Sequence, residues 1–234
     1  LYWFMRPTTL RIAVGPPGSD DQKLVQTLAQ LFARERSPVR LSPITTEGSV
    51  ESIALFAAGK TDLAVARGDL NLPASAESVI ILRKNVVVLW VPKIKSIEDL
   101  AGRRVGVIGR TQANVTLLKV VLTESGVNAD KVAVTQFGVN QLAEMARDTT
   151  IDAFLTVGPL DSKITRDAIA ATASSRGEPK FLAIDVSETI AKKHPLYESE
   201  EIPASIFSSS PARPEEKIDT VSVNHLIIAP RTLS

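Results

Sequence analysis

The sequence predicts an α/β protein built as two lobes. Three observations carry that reading. Short β-branched apolar runs alternate with amphipathic stretches. The alternation restarts after Pro92. A further strand-like run, Thr220 to Ile228, is left over after the second series closes. The chain has 234 residues, one large domain or two small ones at ~100–150 residues each. It is 44% hydrophobic and 23% charged, which fits a globular chain that buries a core and not a disordered one.

Leu10 to Val14 reads as a strand, ended by Gly15-Pro16-Pro17-Gly18. Ser19 or Asp20 caps the next helix, in which Leu24, Val25, Leu28, Leu31 and Phe32 share one apolar face. Val39 to Leu41 begins a second strand, and Val50 to Ala58 is a short helix stopped by Gly59-Lys60. Leu63 to Ala66 and Val79 to Leu82 are the third and fourth strands. This βαβαβ order builds a parallel sheet with helices on both faces.

Asn85 to Val91 is a continuous apolar run closed by Pro92. Ser96 then opens a single turn to Leu100, and Arg104 to Ile108 is a strand. Ala113 to Ser125 is a helix with Leu117, Leu118, Val121 and Leu122 inward. Val132 to Val134, Ala153 to Leu155 and Phe181 to Ile184 are strands; Val139 to Arg147 and Pro159 to Ala173 are helices. The first lobe is therefore expected at 8–88, with a return segment at 200–234, and the second at 89–199.

Several chemistries are disfavoured. Lys+Arg is 27 against Asp+Glu 26, so the basic excess of a nucleic-acid binder is missing. With no cysteine there is no disulfide, thiolate metal site or cysteine nucleophile. His194 and His225 are far apart and have no metal-ligand spacing. No GxSxG elbow, SxxK or GxxxxGK[ST] loop occurs. Asp20-Asp21 and Glu215-Glu216 are adjacent carboxylates, which do not face each other on a helix; they read as caps or solvated faces. Nothing here asks for a reaction, and no catalytic residues, cofactor or metal are expected.

No apolar run of ~20 residues spans a membrane by itself. Residues 1–7, opening Leu1-Tyr2-Trp3-Phe4-Met5-Arg6, read as the stump of a signal anchor, because Trp and Tyr prefer the bilayer interface. The end, an apolar run followed by Arg231-Thr232-Leu233-Ser234, reads as the edge of a fragment.

The polar residues of interest sit just after strands, where open α/β sheets collect ligands. Gly18 and Ser19 follow the first strand. Thr46, Gly48 and Ser49 precede a helix whose N–H groups suit an anion, although Ser49 also reads as a plain N-cap. Arg67 follows the third strand and is either a bidentate carboxylate clamp or a solvated loop arginine. Arg110 and Thr111 open the second lobe's first helix, and Gly158 precedes another.

Two stretches resemble a known family. Thr46-Glu47-Gly48-Ser49-Val50-Glu51-Ser52-Ile53 and Gly59-Lys60-Thr61-Asp62-Leu63-Ala64-Val65 are similar to the signature of the TAXI family, the solute receptors of TRAP-type transporters. Ser96 to Val107 resembles the opening of the second lobe in many type II periplasmic binding proteins. Ile151-Asp152-Ala153-Phe154, Ile202-Pro203-Ala204 and Asp219 to Val223 fit the later pattern. The resemblance covers residues 10–229. Departures occur at the ligand positions: Gly18-Ser19-Asp20-Asp21 lacks the family's aromatic, Ser52 replaces Asn, Arg67 replaces Gln, and Thr111-Gln112-Ala113-Asn114 replaces Gly-Ser-Gly-Thr. Glutamate-like specificity is not carried over.

The resemblance implies a two-lobed type II periplasmic-binding-protein architecture with mostly parallel sheets and a ligand cleft between lobes. It implies a periplasmic or extracytoplasmic receptor that traps a small anionic solute (carboxylate or amino acid) by lobe closure; the expected stump at 1–7 adds a membrane tether. Membrane transporter subunits would be its partners. Arg67 and Arg110 are expected to hold the anion, with hydrogen bonds from Thr46, Ser49 and Thr111. On that reading Arg67→Ala abolishes binding and leaves the melting temperature of the unliganded protein nearly unchanged. The rival readings are a membrane-tethered sensory module on the same fold and an ABC-type solute-binding protein.

Overall fold

A computed structural model describes residues 6–231. The expected anchor stump falls, from Leu1 to Met5, outside the described residues, as does the chain beyond Arg231. The elements run β1 (Thr8–Gly15), α1 (Asp20–Arg34), β2 (Val39–Thr45), α2 (Ser49–Ala57), β3 (Leu63–Arg67), β4 (Ala76–Val91), β5 (Arg104–Ile108), α3 (Gln112–Glu124), β6 (Ala133–Phe137), α4 (Leu142–Arg147), β7 (Ala153–Gly158) and α5 (Lys163–Arg176). Then follow β8 (Lys180–Phe181), α6 (Ser187–Lys193), β9 (Tyr197–Ile202), β10 (Ser208–Ser209), β11 (Ala212–Arg213) and β12 (Ile218–Pro230). The fold is α/β, with parallel strands flanked by helices.

The chain divides into two compact units, one running through Arg83 and resuming at Asn224, the other from Lys84 to Val223. This corrects the expected lobe boundaries. The chain changes unit inside β4 and inside β12, not in linkers near 88 and 199. The reason is strand pairing. Val86 to Trp90 already pair with β7, and Ile218 to Val223 pair with β9, which keeps 200–223 in the second unit. Only from Asn224 does the chain return, where His225 to Ile228 pair antiparallel with β3.

In the first unit β1 is parallel to both β2 and β3. Successive strand residues point to opposite faces, so Ile12 and Val14 join Val25, Val65 and Ile227 on one side. Ala13 joins Phe56, Ala64, Ala66 and Ile228 on the other. Helix α1 buries Val25 fully, but Leu24 and Leu31 stay 38% and 40% exposed, so its inward face is narrower than the spacing predicted.

In the second unit β5 is parallel to β6 and β7, and β4 is antiparallel to β7. Leu117, Leu118, Val121 and Leu122 of α3 pack with Val105 and Val107, as expected. Each such leucine, fully buried, contributes roughly 1.5–3 kcal/mol. The opposite face holds Trp90, Met145, Phe154 and Ile169. Trp90 stacks on Phe154 with centroids 5.7 Å apart, and its Nε1–H donates to Thr172 Oγ1 at 2.9 Å, which satisfies the one polar atom of a fully buried ring.

Other boundaries moved for identifiable reasons. The two runs at 79–82 and 85–91 fuse into the single strand β4. Arg83 and Lys84, which looked like a break, find carboxylates at Asp21 and at Glu198 and Glu200. Helix α5 starts at Lys163, because Ser162 caps it by accepting from Thr165 N–H at 3.2 Å. Strand β8 ends at Phe181 and not at Ile184.

Candidate functional site

The parallel strands of the first unit bring Gly15, Thr45 and Arg67 to one sheet edge. The loops that follow are fixed by their own backbone. Gly15 and Gly18 take φ of +89° and +76°, a left-handed conformation that glycine enters without steric penalty. Gly18 N–H donates to Gln22 Oε1 at 2.5 Å. Ser19 is the N-cap of α1, accepting from Gln22 N–H at 3.3 Å. Thr46 N–H donates to Gly15 O at 2.8 Å, tying the second loop to the first.

Thr46 is buried, and its hydroxyl lies 2.7 Å from that of Ser52. Gly48, not Ser49, is the N-cap of α2; Ser49 is its first residue. Glu51 folds back so that its Oε2 accepts from Glu47 N–H at 2.6 Å. Helix α1 also carries Asp20 and Asp21 in its first turn. The amino ends of both helices therefore hold carboxylates of the chain itself, the charge that their dipoles favour.

Arg67 is 5% exposed and its Nε donates to Asp69 Oδ1 at 2.7 Å. It is thus not a solvated loop arginine, and its charge is met by a buried carboxylate. Such a pair argues for a stability cost in Arg67→Ala, where the sequence reading expects almost none. Beside it in the sheet, His225 pairs with Arg67 in register. His225 Nδ1 lies 2.9 Å from Asp21 Oδ2, while Arg83 Nε donates to Asp21 Oδ1 at 2.7 Å. Burial pushes the Asp21 carboxyl up, but the hydrogen bonds and charges of His225 and Arg83 outweigh it and hold it below its ordinary 3.8. Asp21 had read as a cap or solvated residue. The sequence did carry one signal: a histidine inside the apolar run Val221 to Ile228 must find a polar partner when buried.

In the second unit Ile108, Phe137 and Gly158 end three strands at one edge. Gly109 turns the chain with φ +97°. Thr111 is the N-cap of α3, accepting from Ala113 N–H at 3.4 Å. Arg110 is exposed, and its Nη2 donates to Gln141 Oε1 at 2.5 Å. The same oxygen accepts from Gly138 N–H at 2.8 Å. Gln136 Nε2 donates to Thr111 O at 3.1 Å. The first turn of α3 has no acidic residue. Gly158 is buried at the end of β7, where an added Cβ would come 3.4 Å from Ser162; it is a packing position before the α5 cap.

Of the expected residues, Gly18, Ser19, Thr46, Gly48, Ser49 and Arg67 share the strand-end edge of the first unit. Arg110, Thr111 and Gly158 share that of the second. Gln141 went unremarked in the sequence, since nothing local marks a glutamine that braces an arginine 31 residues away. Two open cavities lie elsewhere in the second unit, of about 310 and 470 Å³. Both are lined by Lys180 and Phe181, which pair with Val91 and Trp90 at the opposite end of β4. Among the described residues no group of three His, Cys, Asp or Glu could hold a metal ion, and no helix is long and apolar enough to cross a membrane.

Known structures share this fold. The ligand-binding core of GluR0 in complex with L-glutamate matches with TM-score 0.53 and 9% identity, over 97% of this chain and 86% of that one. The periplasmic aliphatic sulphonate binding protein SsuA of Escherichia coli matches with TM-score 0.52 and 17% identity, over 80% and 64%. A periplasmic sulfonate-binding protein of a sulfonate ABC transporter from Methylobacillus flagellatus KT matches with TM-score 0.50 and 15% identity, over 96% and 62%. The chain thus spans under two thirds of the length of the last two. At these identities the likeness shows the fold alone. Comparison with curated proteins finds no match. A family model, however, matches residues 12–234, nearly the whole sequence: the chain belongs to the NMT1-like family.

Proposed function

We propose that this chain is an extracytoplasmic solute-binding receptor and not an enzyme, and that it takes a small anionic solute, a carboxylate or amino acid. The carrying observation is the polar loops at the carboxyl ends of the parallel strands in each unit, the place where open α/β sheets take ligands. Arg110 is the residue assigned to the anion: it is exposed, its guanidinium is oriented by Gln141, and it stands beside an α-helix start free of acids. Thr111 and the N–H groups of α3 would add hydrogen bonds. In the first unit Arg67 braces the end of β3, while Gly18, Ser19, Gly48 and Ser49 offer backbone and hydroxyl groups.

The names of the similar structures support the solute class, since they bind sulphonates and glutamate. The TAXI-like stretches at 46–53 and 59–65 favour TRAP-type membrane subunits as partners. An ABC-type receptor is the second reading, favoured by the sulfonate ABC transporter protein among the similar structures. The test is thermal shift against small carboxylates, amino acids, sulphonates and phosphorylated metabolites. A ligand at 100 times its Kd adds ~2.7 kcal/mol, a shift of several degrees. A hit among carboxylates or amino acids supports the reading; sulphonates alone favour the second; no shift across the panel overturns both.

A further inference from the structure

Strand β4 has one stretch that the fold leaves uncovered. Val79, Ile80 and Ile81 are 61%, 52% and 51% exposed, three large apolar residues in a row. On its inner side this part of β4 neighbours β12, and Arg231 fastens the two by donating to Ser75 O at 2.8 Å and to Ala76 O at 3.1 Å. On its outer side β4 meets β7 only from Val86 and β8 only from Trp90. Among the described residues no strand pairs with the outer edge over 77–83. An exposed apolar edge strand is a template for strand addition, which proteins normally blunt with charge, proline or a bulge. Here the charges sit only at the ends: Glu77 opens the stretch, and Arg83 and Lys84 close it.

That arrangement is self-complementary. Two copies aligned antiparallel about Ile80 place Glu77 of each opposite Arg83 of the other, Val79 opposite Ile81, and Ile80 opposite itself. Opposite charges and branched apolar pairs across strands are both favourable. A parallel alignment would set like charges together. Arg83 already binds Asp21 through Nε and stands 4.0 Å from Asp20; Glu77 of the second copy would join these carboxylates around a guanidinium with five N–H donors. We propose that a second copy of this chain occupies this edge, forming a two-fold antiparallel strand pair centred on Ile80. A C2 dimer requires such a self-matching patch. The shared contact is one short edge strand, which makes it a concentration-dependent dimer.

The test uses sedimentation velocity from about 1 µM to about 1 mM, and disulfide trapping. The native chain has no cysteine, so Ile80→Cys supplies a single thiol that meets its own copy at the two-fold. Expected are a monomer–dimer shift with concentration, its loss in Ile80→Lys, and oxidation of Ile80→Cys to a covalent dimer at least tenfold faster than Val50→Cys, an exposed control on α2 (70% exposed). A monomer at every concentration, with both cysteine variants oxidising at the same rate, would overturn the proposal. It would leave the edge to a different protein or to additional chain.

Discussion

The strand-end loops of the two units use their polar side chains in opposite ways. In the first unit they are consumed internally: Arg67 by Asp69, Asp21 by His225 and Arg83, Thr46 by Ser52. In the second, Arg110 projects from the surface and is steered by Gln141. The difference separates two roles that a sequence merges. A buried arginine with a buried carboxylate holds backbone in place, because an unpaired charge there costs several kcal/mol. An exposed arginine has little structural consequence and is available to an anion.

The largest effect should come from Asp21. Asp21→Asn removes the charge that meets His225 and Arg83 and should lose about 3 kcal/mol in urea unfolding. It should also change the acid limb. The folded carboxyl is held below 3.8, so the folded state binds this proton more weakly than the unfolded chain does. The resulting stability is complete above the ordinary value and is lost as pH falls through the lowered one. The native chain should therefore lose stability below about pH 4 more steeply than Asp21→Asn; parallel acid titrations would contradict the assignment.

Arg67→Ala comes next. It takes the guanidinium away from the Asp69 carboxylate, whose side chain is 3% exposed, and should lose about 3 kcal/mol, read by urea unfolding without ligand. An unchanged midpoint would return Arg67 to the ligand and break the comparison. Arg110→Ala should do the reverse: affinity falls about tenfold, or ~1.4 kcal/mol, while the unliganded midpoint stays within about 0.5 kcal/mol. Thr46→Val is the smallest, leaving the Ser52 hydroxyl without its 2.7 Å partner at about 1 kcal/mol.

Local chemistry made much of the fold legible. Ser19 before Asp20-Asp21 marks the start of α1, and Leu117, Leu118, Val121 and Leu122 mark the buried side of α3. Pairing across the sheet was not legible. Arg83-Lys84 interrupts the apolar pattern, and β4 runs through it beside β12, the two charges meeting partners 62 and 114 residues away, Asp21 and Glu198. The same limit applied at the site. Position after a strand marked Arg67 and Arg110 alike; what distinguishes them is Asp69 and burial in one case, Gln141 and exposure in the other. Asp21 looked like a surface cap because its partner, His225, lies 204 residues on.

The most direct measurement is isothermal titration of a thermal-shift hit into the native chain, Arg110→Ala and Arg67→Ala at matched folded fraction. The account predicts that affinity falls about tenfold in Arg110→Ala and is largely retained in folded Arg67→Ala. Native affinity in Arg110→Ala, with binding lost in folded Arg67→Ala, would contradict it and move the anion to the first unit.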